Sequence, residues 1–304
     1  MPRSSLLDRL GAAPQLLLCI AVLGWSGNFI VGRLVGDTVP PIQLAFLRWL
    51  LAALLLLPFG LAHLRRDAPT LRRHAPLIVA LAVTGVVVFN TLVYIGLGST
   101  PAVTGLLLQS VGPLFILAFT ALLFRERPRV GQVVGILVSL VGVWVIVSRG
   151  QVFSAGVAVG GGEWWFLAAV LSYSLYTALL RLAPKVHPLS ILLATFGIGT
   201  AILAPMAAVE FASGQRVPAT AGAFWAVLYV GIVPSIVSYF CWNRGVGLMG
   251  AARAGQYLHL LPVFGAALAF IVLGEALAPF HLVGAAIIAT GILLAGRSRP
   301  AMPR

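Results

Sequence analysis

Acidic residues are scarce in this chain: Asp and Glu number 7 among 304 residues, and charged residues of both signs make up 9%. Soluble domains carry about 25%, so a cytosolic enzyme and a disordered tail are both excluded. Cysteine is nearly absent too. Cys19 and Cys241 each lie inside an apolar run, which leaves no disulfide framework and no metal-ligand spacing, and they read as small core thiols. No G-x-x-x-x-G-K-[ST] run occurs, so the chain has no phosphate loop for hydrolysing a nucleotide. The apolar stretches do not alternate with polar positions as porin strands do. What fills the sequence is the AVILMFWYC set, at 60%, with a mean hydropathy of +1.04. A soluble globule could not hide so much apolar surface; the solvent of this chain is lipid.

A spanning helix needs about 20 mostly apolar residues. Ten runs qualify: 14–32, 42–61, 75–97, 102–124, 130–148, 164–180, 189–209, 222–243, 254–273 and 281–296. Little chain remains for a soluble domain. The first run follows Arg3 and Arg9 as a signal peptide would, but it is longer than such a segment and another span follows closely, so it reads as an uncleaved first helix. With both termini in the cytoplasm, 16 of the 20 Lys and Arg fall on that side. Arg33, Arg149 and Arg216 fall outside, and Arg48 lies within the second span. That asymmetry satisfies the positive-inside rule. The net charge of +13 is thus mainly a topology signal, and loops this short give nucleic acid no docking surface.

The two halves repeat. At a shift of 149 residues Gly96 meets Gly245, Pro113 meets Pro262, Phe115 meets Phe264, Glu126 meets Glu275, Gly135 meets Gly284 and Gly142 meets Gly291. At a shift of 148, Trp25 meets Tyr173 and Ser26 meets Ser174. The expected fold class is therefore all-α integral membrane: ten transmembrane helices as two five-helix repeats, residues 1–150 and 151–304. Five is odd, so the second copy starts on the opposite side of the membrane. Inverted repeats of this kind build carriers that expose a central site to each side in turn.

At these residues the chain resembles the drug/metabolite transporter superfamily, EamA type. Trp25-Ser-Gly-Asn28-Phe29 looks like that family's first-helix signature and Leu44-Ala45-Phe46-Leu47-Arg48-Trp49 like its second-helix pattern. Within the family it looks most like the YddG-type exporters of (aromatic) amino acids. The resemblance implies a basket of ten helices in the bacterial inner membrane. It also implies a central cavity lined by helices 1, 3, 4, 6, 8 and 9, with helices 2, 5, 7 and 10 peripheral.

Polar groups inside a lipid-embedded helix are costly and face a cavity or another helix. On the six inner helices they are Asn28, Asn90, Tyr94, Gln109, Ser110, Ser172, Tyr173, Tyr176, Tyr239, Gln256 and His259, with Trp25 and Trp242 as aromatic walls. Of these, Trp25, Asn28, Asn90, Tyr94, Tyr173, Tyr176, Tyr239, Gln256 and His259 are the expected substrate contacts. Asn and Gln both donate and accept, which suits a zwitterion, and aromatic faces hold an ammonium. Asn28 and Tyr176 read either as cavity lining or as interhelical glue; Ser110 and Ser172 read as packing. His259 reads as a substrate contact or proton carrier, or as a packing histidine. Pro113 and Pro262 interrupt helices 4 and 9 at matched points and read as gating hinges or as static bends. Arg48, on a helix expected at the periphery, is expected to snorkel toward the interface. Glu126 and Glu275 suggest a hairpin device, capping the next helix or pairing with Arg. Gly131, Gly135 and Gly142 read as close helix packing.

The expected function is an alternating-access exporter of small metabolites, most readily amino acids of broad specificity, by uniport. It has no cofactor, needs lipid and a small-molecule substrate as partners, and is sufficient as a monomer. A carrier of drugs or phosphate-bearing metabolites, a channel and an intramembrane enzyme are the competitors. Phosphate-bearing cargo would want Arg or Lys in the cavity, and the six inner helices offer none near mid-depth.

Overall fold

The computed structural model describes residues 13–36, 38–97, 105, 108–148, 163–273 and 279–296. They form an all-α, multi-pass membrane protein. Its helices are α1 (Pro14–Val35), α2 (Pro41–Arg73), α3 (Ala75–Leu97), α4 (Gly112–Phe124), α5 (Val130–Val147), α6 (Glu163–Leu179), α7 (Pro188–Ala212), α8 (Ala221–Met249), α9 (Ala251–Gly255 running through Gln256–Leu260 into Leu261–Leu273) and α10 (Pro279–Gly296). Seven are long and apolar enough to cross a bilayer; α4, α5 and α10 are shorter apolar helices. Proline opens α1, α2, α7 and α10, where its missing N–H costs nothing and its fixed φ suits the first turn.

α2 outruns its expected span of 42–61 by three turns, to Arg73. The apolar run stops, but nothing breaks the helix. Pro58 and Pro69 are absorbed, and Arg72 and Arg73 sit in the last turn, where the dipole favours cations. At 1.5 Å per residue the helix is about 50 Å long, so its basic end projects beyond a hydrocarbon core of about 30 Å. The first part of the expected 102–124 span lies largely outside the described residues.

Two helices carry a wide π-helical turn: α3 at Ala82–Val88 and α8 at Ile232–Val237. These positions correspond at the 149-residue shift. Pro234 has no N–H, so the Val230 carbonyl loses its helical donor; Ser235 Oγ supplies one at 2.6 Å. Gly85 stands at the matching place in α3. Its carbonyl and that of Val86 accept from Asn90 Nδ2 at 3.2 and 3.0 Å.

The main helix pairings are α1 with α8 and α9, α6 with α3 and α4, α2 with α7, α5 with α10, and the start of α9 with α4. Exchanging each helix for the one five places on returns the same set.

The α5–α10 seam is built on glycine. A Cβ on Gly291 would lie 2.5 Å from the Gly135 carbonyl oxygen and 2.7 Å from Ser139 N; one on Gly142 would lie 2.7 Å from the Gly284 carbonyl oxygen. The expected close packing at Gly135 and Gly142 is borne out. Because backbone stands in the way, Gly291→Ala should cost about 1–3 kcal/mol, as overpacking does. Thermal unfolding in detergent measures it, with Gly197→Ala, which meets nothing within 4 Å, as the neutral control.

α2 and α7 cap each other. Glu210, at the end of α7, accepts from the N–H groups of Ile42 and Gln43 at the start of α2, at 3.3 and 2.7 Å. Asp67, near the end of α2, accepts from the His187 N–H at 2.9 Å and the Ser190 hydroxyl at 2.7 Å at the start of α7. Each carboxylate also meets the positive end of the partner's dipole. His63 stacks on His187 with ring centroids 3.7 Å apart. Burial first, then the neighbouring charges of His63 and Arg66, hold the His187 imidazole below the ordinary histidine range. Asp67→Ala and Glu210→Ala should each lower stability by about 1 kcal/mol. The two losses should add, since the caps lie at opposite ends; chemical denaturation of the double variant reads this.

These contacts fix which segments share an end. Asp67 and His187 are together, as are Glu126 and Arg181, which form an exposed ion pair. Gln43 Nε2 donates to the Gln215 carbonyl at the other end. Glu126 thus pairs with Arg, one of its two expected roles; Glu275 lies outside the described residues.

Candidate transport site

The centre of the bundle is aromatic. Trp25 of α1 lies edge-on to Tyr173 of α6 and Tyr239 of α8, at 5.4 and 5.8 Å between centroids, and 5.1 Å from Trp242. Tyr176 is 5.2 Å from Tyr173 and 5.8 Å from Tyr239. Phe89 of α3 closes on Tyr173, and Trp49 of α2 on Tyr239. Such edge-to-face pairs are worth about 0.5–1.5 kcal/mol each beyond the area they bury. The sequence-expected aromatics Trp25, Tyr173, Tyr176 and Tyr239 therefore meet, although they come from three helices far apart in the chain.

Beside them lies a charge that was expected elsewhere. Arg48 does not snorkel. It is 1% exposed and reaches from α2 into the middle of the bundle. Its Nε donates to Ser235 Oγ at 2.6 Å, Nη1 to the Tyr94 hydroxyl at 3.1 Å and Asn28 Oδ1 at 3.4 Å, and Nη2 to the Pro234 carbonyl at 3.2 Å. The interface loses because the widened turn of α8 presents two acceptors at close range, and α1 and α3 add two more. α2 thus contributes to the centre, which corrects its reading as wholly peripheral.

Two tyrosine–asparagine bonds flank this hub. The Tyr94 hydroxyl donates to Asn28 Oδ1 at 3.3 Å, joining α3 to α1. The Tyr176 hydroxyl donates to Asn243 Oδ1 at 2.7 Å, joining α6 to α8. Asn28 corresponds to Tyr176 at the 148 shift and Tyr94 to Asn243 at the 149 shift, so the same bond occurs in both halves with the partners exchanged. The carbonyls of Gly85 and Pro234, also 149 apart, behave alike. Gly85 receives the Tyr239 hydroxyl and Asn90 Nδ2; Pro234 receives Trp25 Nε1 at 3.0 Å and Arg48 Nη2.

Gln256 and His259 sit in the 3₁₀ turn of α9, 2% and 0% exposed. Gln256 Nε2, both ring nitrogens of His259, Gln109 Nε2 and the Tyr173 hydroxyl are buried without a hydrogen-bond partner among the described residues. Buried polar atoms are rarely left so; these lie just before α4 and along α6 and α9, and Trp49 Nε1, Thr91 Oγ1, Thr200 Oγ1 and Ser238 Oγ are likewise unpartnered. Ser172 Oγ donates to the Thr84 carbonyl at 2.9 Å, tying α6 to α3 as a packing serine would. Ser110 is buried. Pro113 and Pro262 each stand at the start of a fresh helical segment, after a turn at 110–111 and after the 3₁₀ stretch Gln256–Leu260. They follow the breaks in α4 and α9 rather than interrupting regular helix. Cys19 and Cys241 are free thiols. Among the described residues no group of three or more His, Cys, Asp or Glu could hold a metal ion.

Sequence reasoning missed Asn243, Ser235 and Arg48 as members of this centre. Asn243 had a usable signal, the register match to Tyr94. Ser235 is hydroxyl-bearing beside a proline, a common helix device with no functional mark of its own.

The profile of the EamA-like transporter family matches this chain twice, over residues 13–148 and 160–297. The chain is similar to the uncharacterized transporter YetK of Bacillus subtilis, 26% identical over 94% of this chain and 87% of the relative. It is also similar to a probable terminal-alkyne amino-acid exporter of Streptantibioticus cattleyicolor, 27% identical over 92% of each. A solved crystal structure superposes with a TM-score of 0.74 over 93% of this chain and 96% of the other at 23% identity, a likeness of fold.

Proposed function

We propose an alternating-access mechanism for this chain, which belongs to the EamA-like transporter family and is a membrane transporter of small metabolites rather than an enzyme. Its two halves, 1–150 and 151–304, act as inverted repeats. Rocking one half against the other opens the aromatic centre to each face in turn, and both termini stay in the cytoplasm. The observation that carries this reading is the reciprocity of the centre: the paired Tyr–Asn bonds and the matched π-helical turns, each with its counterpart 148 or 149 residues away. A device built twice with exchanged partners has two mirror-related arrangements of similar energy, which is what alternation needs.

The cargo is a small amino acid or amino-acid-like metabolite, moved outward by uniport. The polar side chains of the centre, its aromatic walls and the likeness to the probable terminal-alkyne amino-acid exporter of Streptantibioticus cattleyicolor support this. Substrate contacts are Trp25, Asn28, Asn90, Tyr94, Tyr173, Tyr176, Tyr239, Gln256 and His259, and α4 and α9 move about the breaks that Pro113 and Pro262 follow. No carboxylate of the described residues lies among these groups, so the common proton-relay design of pumps has no seat there. Purified protein in liposomes loaded with each of the twenty amino acids should show counterflow with several of them. Flux no faster than empty vesicles across the whole panel would contradict the carrier, and flux without counterflow would make it a channel.

A further inference from the structure

Arg48 sits about 10 Å along α2 from its start at Pro41, with its side chain inside the bundle. Its charge has no carboxylate partner among the described residues: all four hydrogen-bond acceptors are neutral oxygens. The acids whose contacts are described are used elsewhere. Glu210 caps the start of α2, Asp67 caps α7, and Glu126 pairs with Arg181. A buried cation satisfied only in its hydrogen bonds still lacks a counter-charge, and in a low-dielectric centre that is costly unless an anion visits.

Two N–H donors already meet at a single oxygen beside it. Arg48 Nη2 and Trp25 Nε1 converge on one oxygen, the Pro234 carbonyl, exposed by the widened turn of α8. The guanidinium carries five N–H donors, four of which are engaged. The Tyr173 hydroxyl, buried and unpartnered, belongs to the ring that packs on Trp25. The Arg48 guanidinium carbon also lies 4.8 Å from the centroid of the Trp49 ring, which packs on Tyr239 at 5.1 Å, so charge and aromatic walls share one neighbourhood.

We propose that Arg48, with the Trp25 N–H and the Tyr173 hydroxyl, reads a carboxylate on the cargo, so that the substrate must carry an anionic group against an aromatic wall. This rests on the carrier reading and sharpens it. A zwitterion would place its carboxylate on Arg48 and its ammonium over the rings of Trp25 and Tyr239, whereas a cationic drug would meet like charge. Arg48 thereby also serves as the positive group that phosphate-bearing cargo would seek, supplied by α2 rather than by the six helices first expected to line the cavity.

The test uses the unsubstituted full chain and three probes: L-phenylalanine, 3-phenylpropanoate, which keeps the carboxylate and lacks the ammonium, and L-phenylalanine amide, which keeps the ammonium and lacks the carboxylate. Each is measured for binding by calorimetry in detergent and as a competitor of counterflow in liposomes. The acid-bearing probes should bind roughly ten- to a hundredfold tighter than the amide, the ratio expected from losing a charge-assisted hydrogen-bonded contact. In Arg48→Lys the order should persist with a smaller ratio, because the charge remains and the planar fork is lost. An amide that binds and competes as well as the acid overturns the subsite while leaving transport intact. Carboxylate binding without flux of any amino acid supports the subsite and overturns the carrier. Absence of both overturns both.

Discussion

Trp25→Ala should lower counterflow of whichever amino acids the protein carries by at least tenfold, and Trp25→Phe by nearly as much. The two substitutions separate packing from recognition. Alanine removes the ring contacts with Tyr173, Tyr239 and Trp242 and leaves a void in the middle of the bundle. Truncating a buried tryptophan costs about 3–5 kcal/mol, so that variant also melts earlier. Phenylalanine keeps one aromatic ring among Tyr173, Tyr239 and Trp242, and gives up the rest of the indole with its Nε1–H donor to the Pro234 carbonyl. Its thermal transition in detergent should move by a few degrees at most. A Trp25→Phe protein that melts normally and transports normally would show that the indole is a packing group and nothing more.

Gly85→Leu should be the most damaging single change. A Cβ at Gly85 would lie 2.7 Å from Cγ and Cε2 of Tyr176, inside van der Waals contact, and leucine adds three more carbons. Tyr176 cannot swing aside without losing its 2.7 Å bond to Asn243. Gly85 also holds the π-helical turn of α3, whose carbonyl receives the Tyr239 hydroxyl. The wedge would therefore force α3 from α6 and strip two interhelical hydrogen bonds at once. Size-exclusion chromatography should find little monodisperse protein, and whatever survives should carry no flux. Gly247→Leu, at a site with nothing within 4 Å, should behave as the unsubstituted chain. A well-folded, active Gly85→Leu protein would mean that the close approach of α3 and α6 is incidental.

Most of the architecture is legible in the sequence, because in lipid the signal is blunt: a helix must be long and apolar, and ten runs are. The aromatic centre was legible too, since Trp25, Tyr173, Tyr176 and Tyr239 stand out on otherwise featureless helices. Hydropathy failed where the end of an apolar run was taken for the end of a helix. α2 continues to Arg73 because good helix formers and a favourable last turn carry it past the lipid. It failed again at Arg48. From sequence, a long cationic side chain two turns into a helix reaches the interface as easily as the interior. What decides is the pair of acceptors that Pro234 and Ser235 offer from a helix almost two hundred residues away, and no local pattern announces them. The register of the repeat does carry the missing information about Asn243, which stands 149 residues after Tyr94.

Alternation between inverted repeats requires residues one repeat apart to lie on opposite sides of the bilayer. Arg66 and Gln215 are such a pair, as are Gly36 and Lys185, and all four are exposed. Single cysteines at these positions, in a chain with Cys19 and Cys241 replaced, can be challenged in intact cells with a maleimide that does not cross membranes. Gly36→Cys and Gln215→Cys should react from outside, while Arg66→Cys and Lys185→Cys should react only after the cells are opened. Two members of one pair reacting from the same face would contradict the inversion, and the alternating mechanism with it.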